Sequence, residues 1–163
     1  MLELRSNEKN DDFLGNWSLG QEYGRGIIES MNGNSSLWID GNMLLNERGG
    51  PSWVGKFAAS TIMTDDHDNN VFYKNPQFYI IGQFSRFIEP GAKIHRHKQS
   101  ASGSKAGYIS WMVADNEDNR VAVFCNRYNE TLAVNYFDYD NGQEAALELE
   151  ADSFTTIYYE RNF

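Results

Sequence analysis

The stretch Asn75-Pro-Gln-Phe-Tyr-Ile-Ile-Gly-Gln-Phe-Ser-Arg-Phe-Ile-Glu-Pro-Gly-Ala92 marks the point at which the sequence changes from helical to strand patterning. Asn75-Pro76 predicts the start of a helix, because proline fits the first helical turn, where its missing N–H is not needed. Apolar residues then recur at helical spacing, namely Phe78, Ile81, Phe84 and Phe87 or Ile88. Pro90-Gly91 predicts the end of this segment and the junction between two parts of the chain.

Before this stretch, the sequence predicts one more helix, over Ser18–Met31. Asn16 or Ser18 can cap its start and Asn32-Gly33 can end it. Glycine lowers intrinsic helix stability, so several glycines inside one helix indicate close packing against a neighbour. The apolar face of this helix is formed by Leu19, Tyr23, Ile27 and Met31, and its internal glycines are Gly20, Gly24 and Gly26.

The alternation of Leu37–Leu45 predicts a strand, followed by a loop rich in Gly, Ser and Asp over residues 46–74. After the junction, short alternating segments separated by turns predict an antiparallel β-sandwich. The predicted strands are Ala92–Arg96, Gly107–Ala114, Arg120–Asn126, Leu132–Phe137, Ala145–Leu149 and Phe154–Glu160. The sequence thus predicts two domains, residues 1–90 and 91–163.

Composition excludes several classes of protein. The 163 residues include 14 basic and 23 acidic side chains, so the net charge of -9 argues against nucleic-acid binding. Hydrophobic residues make up 40% of the chain, which is too many for a disordered protein. No apolar run is long enough for a membrane span, and the polar start at Met1 does not resemble a signal peptide. The length is also short of the roughly 250 residues of a complete (β/α)8 barrel.

Trp38, Asp40 and Asn42 share one face of the predicted strand over residues 37–45. A carboxylate in such an apolar segment must be paired or functional. The three residues are therefore either a polar site beneath an aromatic ring on which a sugar can stack, or a structural polar pair. The residues alone do not separate these two interpretations.

Three other features have simpler explanations. Asp65-Asp66-His67-Asp68 lacks the spacing, central glycine and distal glutamate of a calcium loop, so a solvated acidic loop is favoured. His95 and His97 provide two metal ligands at most and fit a polar strand edge. Cys125, the only cysteine, lies in an apolar strand and predicts a buried thiol. We therefore predict no metal site.

The first half of the chain resembles the C-terminal region of glucosylceramidases, glycoside hydrolase family 30. The resemblance covers nearly the whole chain in the right order and is strongest in the stretch quoted first. Three more segments carry it: Leu14-Gly-Asn-Trp-Ser-Leu-Gly-Gln-Glu-Tyr-Gly-Arg-Gly-Ile-Ile28, Leu37-Trp-Ile-Asp-Gly-Asn-Met-Leu-Leu-Asn46 and Gly49-Gly-Pro-Ser-Trp53. It implies an incomplete C-terminal part of a (β/α)8 barrel followed by an antiparallel β-sandwich, with residues 37–45 as barrel strand 8.

The resemblance also implies the chemistry of the site. The family retains anomeric configuration and uses two glutamates about 5 Å apart. The segment that carries the acid/base glutamate has no counterpart in this sequence. Glu3 lies at roughly the position of the nucleophile, although the Thr and Cys of the family motif are absent around it. No metal or cofactor is implied.

Strand 8 and the loop after it border the sugar in this family. Trp38-Ile-Asp40-Gly41-Asn42 resembles the family pattern Trp-x-Asp-Trp-Asn, with Gly41 in place of the second Trp. Lys56 stands where well-known members have an Asn that reaches the sugar. The resemblance therefore implies substrate-binding positions at Trp38, Asp40, Asn42 and Lys56.

These implications together predict the C-terminal portion of a retaining β-glycosidase that cleaves glucosylceramide, inactive as this chain alone. Its implied partners are a glycolipid or β-glucoside substrate and a separate N-terminal half. The alternative is a non-catalytic module derived from the family, which binds a carbohydrate, a lipid surface or a protein. The family's animal members are lysosomal and bacterial ones are secreted or cytosolic, so the compartment stays open.

Overall fold

The computed structural model describes residues 13–68, 70–95 and 105–161. Contacts along the chain divide it into two compact units, residues 1–23 with 39–81 and residues 24–38 with 82–163. Both helices contribute residues to both units. The domain boundary predicted at residues 90 and 91 stays a prediction.

The first helix, α1, spans Trp17–Asn32, and its prediction is confirmed. Asn16 caps it, because its Oδ1 accepts a hydrogen bond of 3.2 Å from the backbone N–H of Leu19. The close packing predicted from the glycines is confirmed at Gly20. A Cβ atom there would lie 2.8 Å from both Ile80 Cδ1 and Pro76 Cβ. Gly20 therefore lets the second helix approach the backbone of α1.

The second helix, α2, spans Pro76–Ser85. It begins where the sequence predicts and ends before Phe87 and Ile88, whose N–H groups both bond to the carbonyl oxygen of Phe84. The predicted apolar stripe is wrong at Phe78, which is exposed. The buried side chains are Gln77, Ile80 and Phe84. Ile80, which packs against Gly20, is buried, whereas Phe78 is exposed.

Three short strands form the sheet of the first unit: β1 (Leu44–Asn46), β2 (Ile62–Thr64) and β3 (Phe72–Lys74). β2 pairs in parallel with β1 and antiparallel with β3. The strand predicted over Leu37–Leu45 is therefore wrong except at its last two residues, and the predicted loop over residues 46–74 contains two strands. The alternating pattern does not correspond to a buried strand face, because Leu37, Ile39 and Met43 are 67%, 75% and 74% exposed. β1 pairs with β2 only from Leu44 onward.

The second unit contains six strands, and all six predicted strands are confirmed within two residues at each end. They form an antiparallel sheet in the order β4-β5-β6-β9 and an antiparallel hairpin of β7 with β8. A 3₁₀ helix over Ala106–Tyr108 precedes β5. The strands are β4 (Lys93–His95), β5 (Ile109–Asp115), β6 (Asn119–Asn126), β7 (Leu132–Asp138), β8 (Gln143–Leu149) and β9 (Ser153–Glu160).

The two sheets of this unit pack face to face as a sandwich. Their shared core contains Phe124 from the larger sheet and Tyr136 and Leu149 from the hairpin. Trp111 stacks on Phe124 with ring centroids 5.4 Å apart, and the ring of Tyr136 meets both edge-on. Aromatic pairs of this geometry add about 0.5–1.5 kcal/mol each beyond area burial. The alternation of β6 places Arg120, Ala122 and Phe124 on this inner face.

Asn126, at the end of β6, ties the two sheets together. Its side chain is 1% exposed. The two N–H groups of its Nδ2 are shared among three backbone oxygens, those of Glu130, Leu149 and Glu150, at 2.8–3.0 Å. An amide with this many partners fixes the end of β8 against the end of β6.

Cys125 lies on the opposite face of β6, and the prediction of a buried thiol is confirmed. Burial is the main cause that raises the pKa of this thiol to about 12, so it stays protonated and unreactive. Neither helix in the described part of the chain is long and apolar enough to cross a lipid bilayer.

Candidate functional site

Asp40 lies against helix α1 in the first unit. Its Oδ1 accepts a hydrogen bond of 3.1 Å from the hydroxyl of Tyr23. Burial, followed by the charge of Asp40, raises the pKa of Tyr23 to about 12, so the hydroxyl remains a donor at any physiological pH. The other carboxylate oxygen, Oδ2, is buried and has no hydrogen-bond partner among the described residues. One oxygen of Asp40 is thus held by the helix, and the other is left to accept a further donor.

The segment that follows Asp40 is fixed through its backbone. Ser60 Oγ donates to the carbonyl oxygen of Asn42 at 3.0 Å, and Thr61 Oγ1 donates to that of Met43 at 3.0 Å. Buried Asn75 supports this arrangement, because its Nδ2 donates to the carbonyl oxygen of Ser60 at 2.8 Å. The side chain of Asn42 itself is exposed. Nothing in the local pattern of Ser60 and Thr61 signals this role, since their partners lie 18 residues earlier in the chain.

Lys56 lies on the loop between Gly49 and Ala58 and is exposed. Asn46 fixes the start of this loop: its Oδ1 accepts a hydrogen bond of 2.8 Å from the N–H of Gly50, and its own N–H donates to the carbonyl oxygen of Gly50 at 2.7 Å. The peptide bond between Gly50 and Pro51 is cis.

Gly41 has open space around its α-carbon, because an added Cβ would meet nothing within 4 Å.

The predicted site residues are only partly brought together. Asp40, Asn42 and Lys56 belong to the first unit, whereas half-buried Trp38 is assigned to the second. Glu3 lies outside the described residues, and so does His97. The substrate-binding role of the four residues therefore stays a prediction, and so does the nucleophile position at Glu3.

The acidic loop folds around Asp65. Its Oδ1 accepts hydrogen bonds from the N–H groups of His67 and Asp68, and its Oδ2 accepts one of 2.7 Å from the hydroxyl of Tyr73. The bond from Tyr73 is the main cause that lowers the pKa of Asp65. His67 and Asp68 are exposed. Among residues 13–68, 70–95 and 105–161, no three His, Cys, Asp or Glu side chains are grouped to hold a metal ion.

The strongest cluster of charges lies in the sandwich and is centred on Arg120, which is 4% exposed. Its guanidinium binds Asp115 through Nε and Nη2, Asp138 through Nη1 at 2.5 Å and Asp140 through Nη2 at 2.7 Å. Burial opposes the charge of Arg120, but hydrogen bonds to Asp115 and Asp140 outweigh it and raise the pKa of the guanidinium. A buried cation with this many carboxylate partners is a structural anchor.

Two further groups extend this cluster. His95 Nε2 contacts Asp115 Oδ2, and Arg161 Nη1 lies 3.0 Å from the same oxygen. Tyr159 donates to Asp138 Oδ2 at 2.8 Å and also contacts the hydroxyl of Tyr136 at 2.7 Å. Sequence reasoning missed this cluster. The sequence does contain a signal for this cluster. Arg120 and Asp138 each have apolar residues as neighbours on the same face of their strand.

Residues 4–88, more than half of the chain, match the model of the glycosyl hydrolase family 30 TIM-barrel domain. The chain therefore belongs to glycosyl hydrolase family 30. The antiparallel strands of the second unit follow this barrel segment in sequence. The predicted fold class is confirmed: a C-terminal part of a (β/α)8 barrel followed by an antiparallel β-sandwich.

Among known proteins, the chain is similar to the lysosomal acid glucosylceramidase of Mus musculus, with 33% identity over 130 residues. That alignment covers 79% of this chain and 24% of the mouse protein. Putative glucosylceramidase 3 of Caenorhabditis elegans is 28% identical over 148 residues, which cover 91% of this chain and 28% of the nematode protein. The chain thus spans about a quarter of the length of these relatives.

Solved structures give the same fold. SrfJ from Salmonella typhimurium superposes with a TM-score of 0.70 and 24% identity, over 98% of this chain and 33% of that protein. A GH30 endoxylanase from Clostridium papyrosolvens C71 superposes with a TM-score of 0.60 and 17% identity, over 95% of this chain and 40% of the endoxylanase.

Proposed function

We propose that this chain provides the C-terminal portion of a retaining β-glycosidase that hydrolyses glucosylceramide to glucose and ceramide. The observation that carries the proposal is the 33% identity to a lysosomal acid glucosylceramidase across 79% of the chain. In this proposal residues 1–90 supply the end of the barrel and residues 91–163 supply the sandwich. The substrate is a glycolipid or a simpler β-glucoside.

The four predicted substrate-binding residues have distinct roles in this proposal. Trp38 offers an aromatic ring, and Asp40 supports the pocket through the segment that it anchors to Tyr23. Asn42 presents an exposed amide on a backbone held by Ser60. Lys56 occupies the position of a sugar-contacting asparagine, so it changes the preference for the sugar. These residues bind and position substrate, and the chemistry itself belongs to two glutamates.

We propose that the 163-residue chain alone does not hydrolyse glycosides. Retention requires a nucleophile and an acid/base residue about 5 Å apart, and one carboxylate cannot perform both roles. Glu3 is the proposed nucleophile position, and the acid/base glutamate comes from a separate N-terminal half. Hydrolysis of a fluorogenic β-glucoside by the purified chain, above the uncatalysed rate, would contradict this proposal.

A chimera tests the proposal directly. This chain replaces the matching region of the mouse lysosomal acid glucosylceramidase, which keeps its own N-terminal part. We expect the chimera to hydrolyse a fluorogenic β-glucoside with retention of configuration, because the chain supplies the missing end of the barrel. A chimera that folds, as judged by circular dichroism, but neither hydrolyses the glucoside nor binds a glucose-based inhibitor would refute the proposal.

Two variants of the chimera test the site. Gly41→Trp restores the aromatic side chain of the family pattern, and a Cβ at this position would meet nothing within 4 Å. Lys56→Asn restores a hydrogen bond to the sugar, worth about 1 kcal/mol, or roughly a fivefold gain in kcat/KM. Phe57→Leu is a matched control on the same loop and should leave kcat/KM unchanged.

The second candidate function is a non-catalytic binding module. Gly41 and Lys56 favour it, because both depart from the family pattern at sugar-contacting positions. If the chain is such a module, the isolated chain binds a glucoside or a glycan. The chimera then stays inactive even when it carries both Gly41→Trp and Lys56→Asn. Isothermal titration of the chain and the activity of that double variant separate the two functions.

A further inference from the structure

Three segments of the sequence match Asn-X-Ser/Thr, the acceptor pattern for N-linked glycans. They are Asn16-Trp-Ser18, Asn34-Ser-Ser36 and Asn129-Glu-Thr131. The pattern is short, so the sequence alone does not identify a glycosylated residue. A glycan is bulky and hydrated, so the folded chain must leave the acceptor side chain in solvent.

The first two segments are the poorer acceptors. Asn16 is half-buried, and its Oδ1 accepts the hydrogen bond from the N–H of Leu19 that caps α1, so a glycan on this amide would compete with the cap. Asn34 is exposed just beyond the end of α1. Its acceptor pattern ends in Ser36, however, and glycan transfer to Asn-X-Ser is less efficient than transfer to Asn-X-Thr.

Asn129 is exposed and lies in the turn over residues 127–131, between β6 and β7. Buried Asn126 fixes this turn. Its Oδ1 accepts a hydrogen bond of 2.9 Å from the N–H of Tyr128, and its Nδ2 lies 3.0 Å from the carbonyl oxygen of Glu130. The backbone is therefore held on both sides of Asn129, while the side chain of Asn129 lies in solvent.

The side chains beside Asn129 are all engaged with the sandwich. The ring of Tyr128 packs against that of Tyr108, with centroids 5.0 Å apart. Three further contacts involve this turn: Arg127 with the carbonyl oxygen of Gly107, Glu130 with Lys105, and Thr131 with Glu150. Among the described residues, the side chain of Asn129 has no such partner. The fold of the turn therefore does not depend on this amide.

We propose that Asn129 is an N-glycosylation site of this chain. The reaction joins Asn129 Nδ2 to C1 of an oligosaccharide that is carried on a lipid pyrophosphate. As the bond from Nδ2 to C1 forms, the bond from C1 to the pyrophosphate oxygen breaks. The lipid pyrophosphate leaves with the electron pair, and Nδ2 gives up one proton.

The two residues of the pattern act at different stages. The transferase recognises the Thr131 hydroxyl on the chain before it folds, and folding then engages this hydroxyl with Glu150 Oε2 at 3.2 Å. Asn129 stays exposed after folding, so the sandwich accommodates a glycan there without the loss of a hydrogen bond. Exposed positions of this kind tolerate substitution with little change in stability.

Expression of the full 163-residue chain behind a cleavable secretion signal in eukaryotic cells tests the proposal. We expect the chain to lose mass on treatment with a peptide N-glycosidase, whether it is secreted or retained in the cell. This enzyme converts a glycan-bearing Asn to Asp, and mass spectrometry of the peptide that contains Asn129 locates the change. The readout needs no hydrolysis of a glucoside, so it is independent of the proposed function.

Variants separate the acceptor from the fold. Asn129→Gln and Thr131→Ala should each remove the glycan at this position, and Thr131→Ser should keep it at lower occupancy. Asn135→Gln is the matched control, because Asn135 is also exposed in the sandwich but is not followed by Ser or Thr at the third position. In chain made in bacteria, which carries no such glycan, Asn129→Gln should unfold at the same urea concentration as the unchanged chain. The proposal is overturned if residue 129 stays unmodified in the eukaryotic cells, or if Thr131→Ala keeps the glycan.

Discussion

Replacement of Arg120 by methionine should strongly destabilise the sandwich. Methionine keeps much of the length of the side chain but removes the cation that faces Asp115 and Asp138. After the change, Asp115 keeps His95 and Arg161 as partners, whereas Asp138 keeps only the Tyr159 hydroxyl and the N–H of Asp140. The side chain of Asp138 is 0% exposed, so most of the cost falls on its uncompensated charge.

The expected loss in the free energy of unfolding is about 3–5 kcal/mol, the usual cost of removing one partner from a buried ion pair. Urea unfolding, followed by the fluorescence of Trp111 in a background that lacks the other three tryptophans, measures it. Asp138→Asn added to Arg120→Met should recover part of the loss, because the amide needs no counter-charge.

Lys105→Met is the matched control. Lys105 pairs with Glu130 at 2.7 Å, but both side chains are at least half exposed, so water replaces the pair and the free energy of unfolding should not change measurably. The reasoning is refuted if Arg120→Met unfolds at the same urea concentration as Lys105→Met. It is also refuted if the effects of Arg120→Met and Asp138→Asn simply add.

Three more predictions concern packing, reactivity and pH. Gly20→Ala should destabilise the protein by about 1 kcal/mol, since overpacking against Ile80 exceeds the gain in helix propensity, while Gly82→Ala in the open part of α2 should stabilise it in thermal unfolding. Cys125 should react with a thiol reagent only after unfolding, because burial raises its pKa to about 12; a fast reaction of the native chain would contradict this. Burial opposes the charge of Asp115, but its bonds to Arg120 and His95 lower its pKa, so its contribution to stability is complete above about pH 5 and is lost as the pH falls through its folded pKa. Urea titrations between neutral and acidic pH check the sign, and a sandwich that gains stability on acidification would refute it.

The sandwich was predictable because most of its strands pair with the next strand in the chain, the pairing of β6 with β9 being the exception. The runs over residues 109–115 and 119–126 are largely apolar between polar turn residues, and a turn of three residues joins them. The same reasoning failed at residues 37–43, which alternate as a strand does but lie outside any sheet among the described residues. A strand needs a hydrogen-bonding partner, and alternation says nothing about whether a partner is there.

Much of the candidate site could not be predicted, because its contacts join residues far apart in sequence. Asp40 was selected correctly as a polar residue that needs a partner, but only the structure identifies Tyr23 as that partner. β2 and β3 have three residues each, which is too short for a period to be recognised. The cluster around Arg120 gathers carboxylates from β5, β7 and the turn after β7 onto one guanidinium.

Strand β6 is fastened to the hairpin of β7 and β8 at both of its ends. Arg120 holds Asp138 at one end, and Asn126 holds the last carbonyl of β8 at the other. Neither sheet can slide along the other without breaking one of these attachments, so the sandwich resists shear as one body. An extra residue in the turn at Asn141 would therefore be absorbed as a bulge in the turn, and the alignment of the two sheets would survive it.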